Sequence, residues 1–197
     1  MRYYEKRTYL LFFLLLFLSD ILLIAQVEIK GLIFNEVYLD KGQPSKSWFV
    51  VYNPTKDKLI LNAVRYSHIK TTNMLPDSIQ QKGGIEINAG EYLVLSAIKI
   101  ETALPNGTKY FYLPILSHLD TGGFIALTTR GLGSSGIDVF KYGDPAKSKE
   151  FKEFIDNPIL DFSTNHKSYS RKIVENNGII TVSNFYETEP TIGLPNN

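Results

Sequence analysis

Three residue types of a catalytic triad lie side by side in the stretch Ser117-His118-Leu119-Asp120. A triad is defined by the spatial roles of its members, and neighbours in sequence rarely point at one another as those roles require. The Gly-x-Ser-x-Gly turn that presents a nucleophilic serine in α/β-hydrolases does not accompany them. We therefore interpret the stretch as a polar loop before a Gly-Gly turn, and we predict no catalytic residue.

Metal and phosphate sites are not predicted either. The three histidines, His68, His118 and His166, form no His-Glu-x-x-His or other compact spacing, so a zinc site would need scattered ligands to converge. The glycine-rich run 131–136 resembles a phosphate-binding loop but lacks the Lys-Ser/Thr ending, and a predicted strand follows it. A flexible hairpin loop is the expected structure there, and no cofactor is expected.

Four aspartates could supply oxygen ligands for calcium, but their spacing fits no known calcium loop. They are Asp138, Asp144, Asp156 and Asp161. The chain contains no cysteine, which excludes disulfides, thiolate nucleophiles and cysteine-ligated zinc.

Composition places the chain among globular proteins. Of 197 residues, 44% are hydrophobic and 21% are charged, and the net charge is +1. The first 25 residues carry three basic and two acidic side chains, which leaves 18 of each in the remainder. A neutral body is a poor general binder of nucleic acid, since that affinity comes from phosphate neutralisation.

The first 25 residues have the pattern of a signal peptide. Arg2, Lys6 and Arg7 precede an unbroken apolar run over 10–18, and Ala25 is a small residue at a plausible cleavage point before Gln26. A retained membrane anchor is the alternative, although Asp20 would be costly inside lipid. We predict an exported, periplasmic or extracellular protein that begins near Gln26, with a single domain over 26–197.

Short apolar or alternating runs separated by Gly, Asn and Pro turns predict an all-β sandwich. The predicted strands are 27–37, 48–52, 59–66, 85–88, 92–96, 110–113, 124–128, 137–142 and 168–174. One segment differs: Asp144-Pro145 has the pattern of a helix N-cap with a first-turn proline, and apolar residues at helical spacing follow it. A short inserted helix is expected there, ending at Asn157-Pro158.

Seven motifs in succession resemble the lamin-tail domain family, in its bacterial exported form, over about residues 29–196. They are Ile33-Phe34-Asn35-Glu36-Val37, Trp48 to Thr55 with its Tyr52-Asn53-Pro54, Ile87 to Leu95 with Gly90 in a hairpin turn, Gly123 to Leu127, Ile137 to Gly143 with Asp138, Ser168-Tyr169-Ser170-Arg171, and Pro190 to Asn196. Each motif is weak alone, and their order carries the resemblance. One departure is Val50, where the family has a glutamate.

The resemblance implies an immunoglobulin-like sandwich that acts as an interaction or anchoring module, with a protein or another envelope component as partner. The alternative function is a carbohydrate- or nucleic-acid-binding accessory of an exported hydrolase system, in which tyrosines such as Tyr110 and Tyr112 would stack on sugars or bases. An enzyme with a noncontiguous site is the third hypothesis. No small-molecule substrate is implied.

Arg171 has two interpretations. It could bind an anion, or it could be a partly buried arginine that clamps the sandwich through a carboxylate. We favour the clamp, with Glu36 or Asp138 as partner, because both lie in apolar strand motifs where a lone carboxylate would be costly.

Overall fold

The protein is an all-β sandwich with short helices, as the sequence predicts. The computed structural model describes residues 29, 31–67, 72–100, 104–105, 108–119, 121–130, 138–148, 159–162 and 166–193. The strands are β1 (Ile33–Tyr38), β2 (Trp48–Tyr52), β3 (Leu59–Ser67), β4 (Thr72–Asn73), β5 (Ile85–Ile87), β6 (Tyr92–Ser96), β7 (Thr108–Tyr112), β8 (Gly122–Arg130), β9 (Val139–Gly143), β10 (Ser168–Ser170), β11 (Ile173–Asn176), β12 (Ile179–Val182) and β13 (Tyr186–Thr188).

In the described ranges, four short helices lie between strands. They are the 3-10 helices η1 (Pro44–Lys46) and η2 (Pro114–His118) and the α-helices α1 (Asp77–Gln81) and α2 (Pro145–Ser148). At the start of α2 the Asp144 side chain accepts a hydrogen bond from Ala146 N at 2.9 Å, so the predicted cap and first-turn proline are confirmed. The rest of the predicted helix, over 149–158, lies outside the described residues.

Two sheets enclose the main core. Sheet A has the order β13-β10-β1-β2-β6-β7, and sheet B has the order β4-β3-β8-β9 with β5 also paired to β3. The core between them contains Phe34 and Phe49 from sheet A and Ile125 and Phe140 from sheet B, all fully buried. The strand β2 is buried on both faces, as its continuous apolar run predicts.

The predicted hairpin around Gly90 is wrong. Glu86 on β5 pairs with Ile60 in sheet B, whereas Val94 on β6 pairs with Val50 in sheet A. The turn at Gly90 therefore carries the chain from one sheet to the other instead of joining two paired strands. Alternation and a tight turn are common to both arrangements, so the local pattern could not distinguish them.

The predicted strand 168–174 is also wrong as a single element. It divides at Arg171-Lys172, with β10 in sheet A and β11 paired with β12 in a separate two-stranded sheet. The stretch Ser117-His118 lies in η2 rather than in a loop, since Pro114 begins a turn of 3-10 helix there. The strands that flank 131–136 pair as antiparallel neighbours, β8 with β9, while that loop itself lies outside the described residues.

Candidate functional site

The carboxylate of Asp138 joins the two sheets. This residue directly precedes β9 of sheet B, and its Oδ2 accepts hydrogen bonds from Phe34 N of β1 at 2.7 Å and from Arg171 Nη1 at 2.6 Å. Its Oδ1 accepts a bond from Val139 N at 3.0 Å. Since Phe34 and Arg171 both belong to the sheet A side, this one side chain ties both sheets together at their interior.

Arg171 is the charged partner in this clamp and is 0% exposed. Its guanidinium carbon lies 4.0 Å from the ring centroid of Phe185, and its backbone N donates to Asn35 O at 3.0 Å. A buried cation needs both a counter-charge and compatible packing, and Asp138 and Phe185 supply them. Of the two carboxylates predicted to pair with Arg171, Glu36 and Asp138, the structure shows Asp138 as the partner.

Glu36, the other predicted partner, does not pair with Arg171. A β-bulge between Phe34 and Glu36 inserts an extra residue into β1, so Phe34 points into the core and Glu36 points to the outer face of sheet A. The fully buried Glu36 carboxylate accepts hydrogen bonds from Ser168 Oγ at 2.6 Å, Thr191 N at 2.9 Å and Thr191 Oγ1 at 2.6 Å. It fastens the C-terminal segment to the sheet.

Asn53 organises the turn after β2. Its Nδ2 donates to Asp57 O at 2.8 Å and to Ile87 O at 2.9 Å, while its Oδ1 accepts from Thr55 N at 3.0 Å and Thr55 Oγ1 at 2.8 Å. The adjoining Pro54 is buried. Because all four bonds tie the turn to itself and to β5, the Asn-Pro-Thr motif has a structural role here.

Replacing Asn53 with alanine is expected to lower the free energy of unfolding by about 2 kcal/mol, since the change removes four hydrogen bonds and leaves the buried carbonyl of Ile87 without this donor. Urea unfolding followed by circular dichroism measures the change. Asn88→Ala is the matched control, because Asn88 is exposed in the neighbouring turn. Equal stability of the two variants would contradict the structural role of Asn53.

Two glycines of the motif set fix backbone turns. Gly90 has φ +71°, and its N donates to Asn53 O at 2.9 Å. Gly143 has φ +66°, and a Cβ there would lie 2.2 Å from Thr121 O. Both positions need the left-handed conformation that glycine adopts without strain. At Gly143 a side chain would in addition collide with the backbone of Thr121.

Two tyrosines stack at the end of β2 and β6. The rings of Tyr52 and Tyr92 have centroids 4.4 Å apart at an interplanar angle of 27°, and both are half-buried. Burial raises the pKa of Tyr92 to about 12, with a further contribution from Tyr52. Burial also raises the pKa of Tyr52, and the nearby carboxylate of Glu175 adds to that effect. Both phenols are therefore neutral at physiological pH.

The structure does not bring the triad residue types together in the part of the chain that it describes. Ser117 Oγ donates to Pro114 O at 2.6 Å within its own helix, His118 is exposed, and Asp120 lies outside the described residues. His166 is also exposed, and His68 lies outside those residues. Among the described ranges, no group of three or more His, Cys, Asp or Glu residues could hold a metal ion.

The hairpin of β11 and β12 was not predicted. Its turn has φ +51° at Asn177 and +78° at Gly178, the geometry that suits a two-residue hairpin turn and that the Asn-Gly pair could have revealed. On one face of this hairpin Val174 is 50% exposed and Ile179 is 48% exposed. They are the two most exposed large hydrophobic residues in the described structure, so the hairpin presents an apolar surface outside the sandwich.

Comparison of the chain with protein-family models, curated proteins and solved structures gave no match. The resemblance to lamin-tail domains therefore stays a prediction from the motifs. Within the described ranges, no helix has the length and apolar character needed to span a membrane. The predicted signal peptide and the cleavage point before Gln26 lie outside those ranges.

Proposed function

We propose that the chain is a non-catalytic interaction module of the lamin-tail type, exported to the cell envelope or beyond it, with an immunoglobulin-like sandwich as its scaffold. The observation that carries the proposal is the pair of exposed aliphatic side chains, Val174 and Ile179, on one face of the β11–β12 hairpin. Val174 and Asn176 point to the same face of β11 because they are two residues apart. Ile179 lies directly opposite Asn176 on β12, so Ile179 and Val174 share that face. A rigid scaffold that presents aliphatic side chains to solvent suits the binding of another protein.

The hydrogen bonds that the buried charged residues form within the fold support a non-catalytic role. Among the described residues, Asp138, Arg171 and Glu36 are the most deeply buried charged side chains, and each forms at least one hydrogen bond within the fold. Their chemistry stabilises the sandwich and the C-terminal segment. Purified protein is therefore expected not to cleave DNA, phosphoesters, peptides or common glycans, and turnover that is lost in His118→Ala would overturn this expectation.

The hairpin is tested by site-specific crosslinking in envelope extract of the source cells. A photoreactive benzoylphenylalanine replaces Asn176, which is exposed and shares the hairpin face because it pairs with Ile179, and the crosslinked species is identified by mass spectrometry. We expect one protein species whose yield falls about tenfold or more in the Val174→Thr, Ile179→Thr background, because these changes keep the strand shape but remove apolar contact. Excess unlabelled wild-type protein should compete for the same species.

Ile98→Thr is the matched control, since Ile98 is 41% exposed elsewhere on the surface. This control should leave the crosslink unchanged. A crosslink that survives the hairpin substitutions would refute the hairpin as the binding surface. Binding to a glycan array that also survives them would instead favour the alternative function, a carbohydrate-binding accessory.

A further inference from the structure

The outer face of sheet A carries a second apolar cluster. Its buried members are Tyr38, Trp48, Val50 and Val94, and the partly buried residues packed against them are Tyr92, Ile100, Leu104, Tyr110 and Ile192. The rings of Tyr38 and Trp48 stack with centroids 5.7 Å apart. This face is covered in part by a segment from the end of the chain, Thr191–Gly193, which we call the strap.

Hydrogen bonds hold the strap at both ends, and an apolar contact lies between them. Glu36 accepts hydrogen bonds from Thr191 N at 2.9 Å and from Thr191 Oγ1 at 2.6 Å. Thr108 Oγ1 on β7 donates to Gly193 O at 3.1 Å. Between these two ends Ile192 packs on the apolar cluster. The sheet therefore recognises a hydroxyl, an aliphatic side chain and a backbone carbonyl in succession.

The third position of the strap requires glycine for two reasons. Gly193 has φ +78°, and a Cβ there would lie 2.7 Å from Thr108 Cγ2 and 3.3 Å from Val94 Cγ2. Ile192 has φ +37°, a conformation that is strained for a β-branched residue. The strap thus occupies its site with local backbone strain, which weakens its hold on the sheet.

We infer that the outer face of sheet A is a peptide-binding site, occupied in this structure by the chain's own strap. Its ligand class is a peptide with a hydroxyl residue, an aliphatic residue and a glycine in succession, whose backbone bends through the left-handed region at the last two. Glu36 binds the first residue, the apolar cluster holds the second, and Thr108 and Val94 restrict the third to glycine. This inference rests on the proposed function as an interaction module, and it names a second surface and the chemistry of its partner.

The test uses the full chain, produced through its own export route, and a fluorescein-labelled peptide with the sequence of residues 189–197. Gly193→Ala should displace the strap, because the added methyl group meets Thr108 and Val94. Fluorescence anisotropy should then show that this variant binds the peptide about tenfold or more tightly than the wild-type chain, in which the strap competes. A peptide with alanine in place of its glycine should bind the variant about tenfold more weakly than the natural sequence.

Circular dichroism and thermal unfolding establish that the variant is folded. If Gly193→Ala does not fold, Ile192→Ala replaces it, because that change removes the apolar contact of the strap without adding bulk to the site. Failure of the natural peptide to bind a folded variant would overturn the inference, as would equal binding of the two peptides. Failure here with hairpin-dependent crosslinking intact refutes the peptide site alone, whereas loss of both refutes the proposed function as well.

Discussion

Arg171→Ala is expected to lower the free energy of unfolding by about 3–5 kcal/mol, a large share of the 5–15 kcal/mol typical of a domain. The substitution leaves the carboxylate of Asp138 in the interior without its counter-charge, and it removes the guanidinium that covers Phe185. Thermal unfolding of the purified protein should show a melting temperature lower by about 10 °C or more.

Two further variants separate charge from shape at this position. Arg171→Lys should recover only part of the loss, since the ammonium group keeps the charge but cannot reproduce the planar guanidinium that contacts both Asp138 and Phe185. The double variant Arg171→Met, Asp138→Asn should be more stable than Arg171→Ala, because no unpaired charge remains buried. A melting temperature of Arg171→Ala equal to that of wild type would refute the clamp.

Phe140→Ala is expected to cost about 3–5 kcal/mol, because it opens a cavity at the centre of the aromatic core. Phe140 is 0% exposed, and its ring lies edge-on to Phe34 with centroids 4.7 Å apart. It also contacts the rings of Phe49, Tyr142 and Phe185. Urea unfolding monitored by intrinsic fluorescence gives the change in free energy.

Tyr112→Ala is the matched control for the core substitution, since Tyr112 is 40% exposed at the edge of sheet A. It should change stability by less than about 1 kcal/mol. Phe140→Leu should lie between the two, because leucine fills much of the space but removes the ring contacts. Similar losses in Phe140→Ala and Tyr112→Ala would show that the aromatic cluster is not the centre of the core.

The sequence pattern predicted those strands whose residues face a core on one side or both. β2 and β6 have their predicted bounds because β-branched and aromatic runs ended by turn residues leave few alternatives. The short strands β4 and β13 were not predicted, since two or three residues without a clear alternation carry too little periodicity. The sequence does not predict which sheet a strand joins, because that depends on pairing partners distant in the chain. β5 is an example, since it pairs with β3 and not with the neighbouring β6.

The sequence predicts that Arg171 pairs with a carboxylate, but it does not identify which one. A buried arginine needs a carboxylate, which limited the partners of Arg171 to two candidates. The choice between Glu36 and Asp138 depended on a β-bulge in β1, and nothing in the local sequence marks a bulge that carries no glycine. The strap was not predicted as a contact, because the hydroxyl of Thr191 reaches Glu36 across 155 residues of chain.

The pairing of β1 with β10 also constrains how the protein acquires its structure. Residues from Ser168 onward must be available before the N-terminal strand has a neighbour on both sides, and such non-local pairing typically places folding in the millisecond to second range. Until then the backbone of β1 presents unpaired N–H and C=O groups along an apolar strand. Such an edge can recruit a strand from another molecule. Premature termination before Ser168 should therefore yield a product that aggregates rather than a smaller soluble domain.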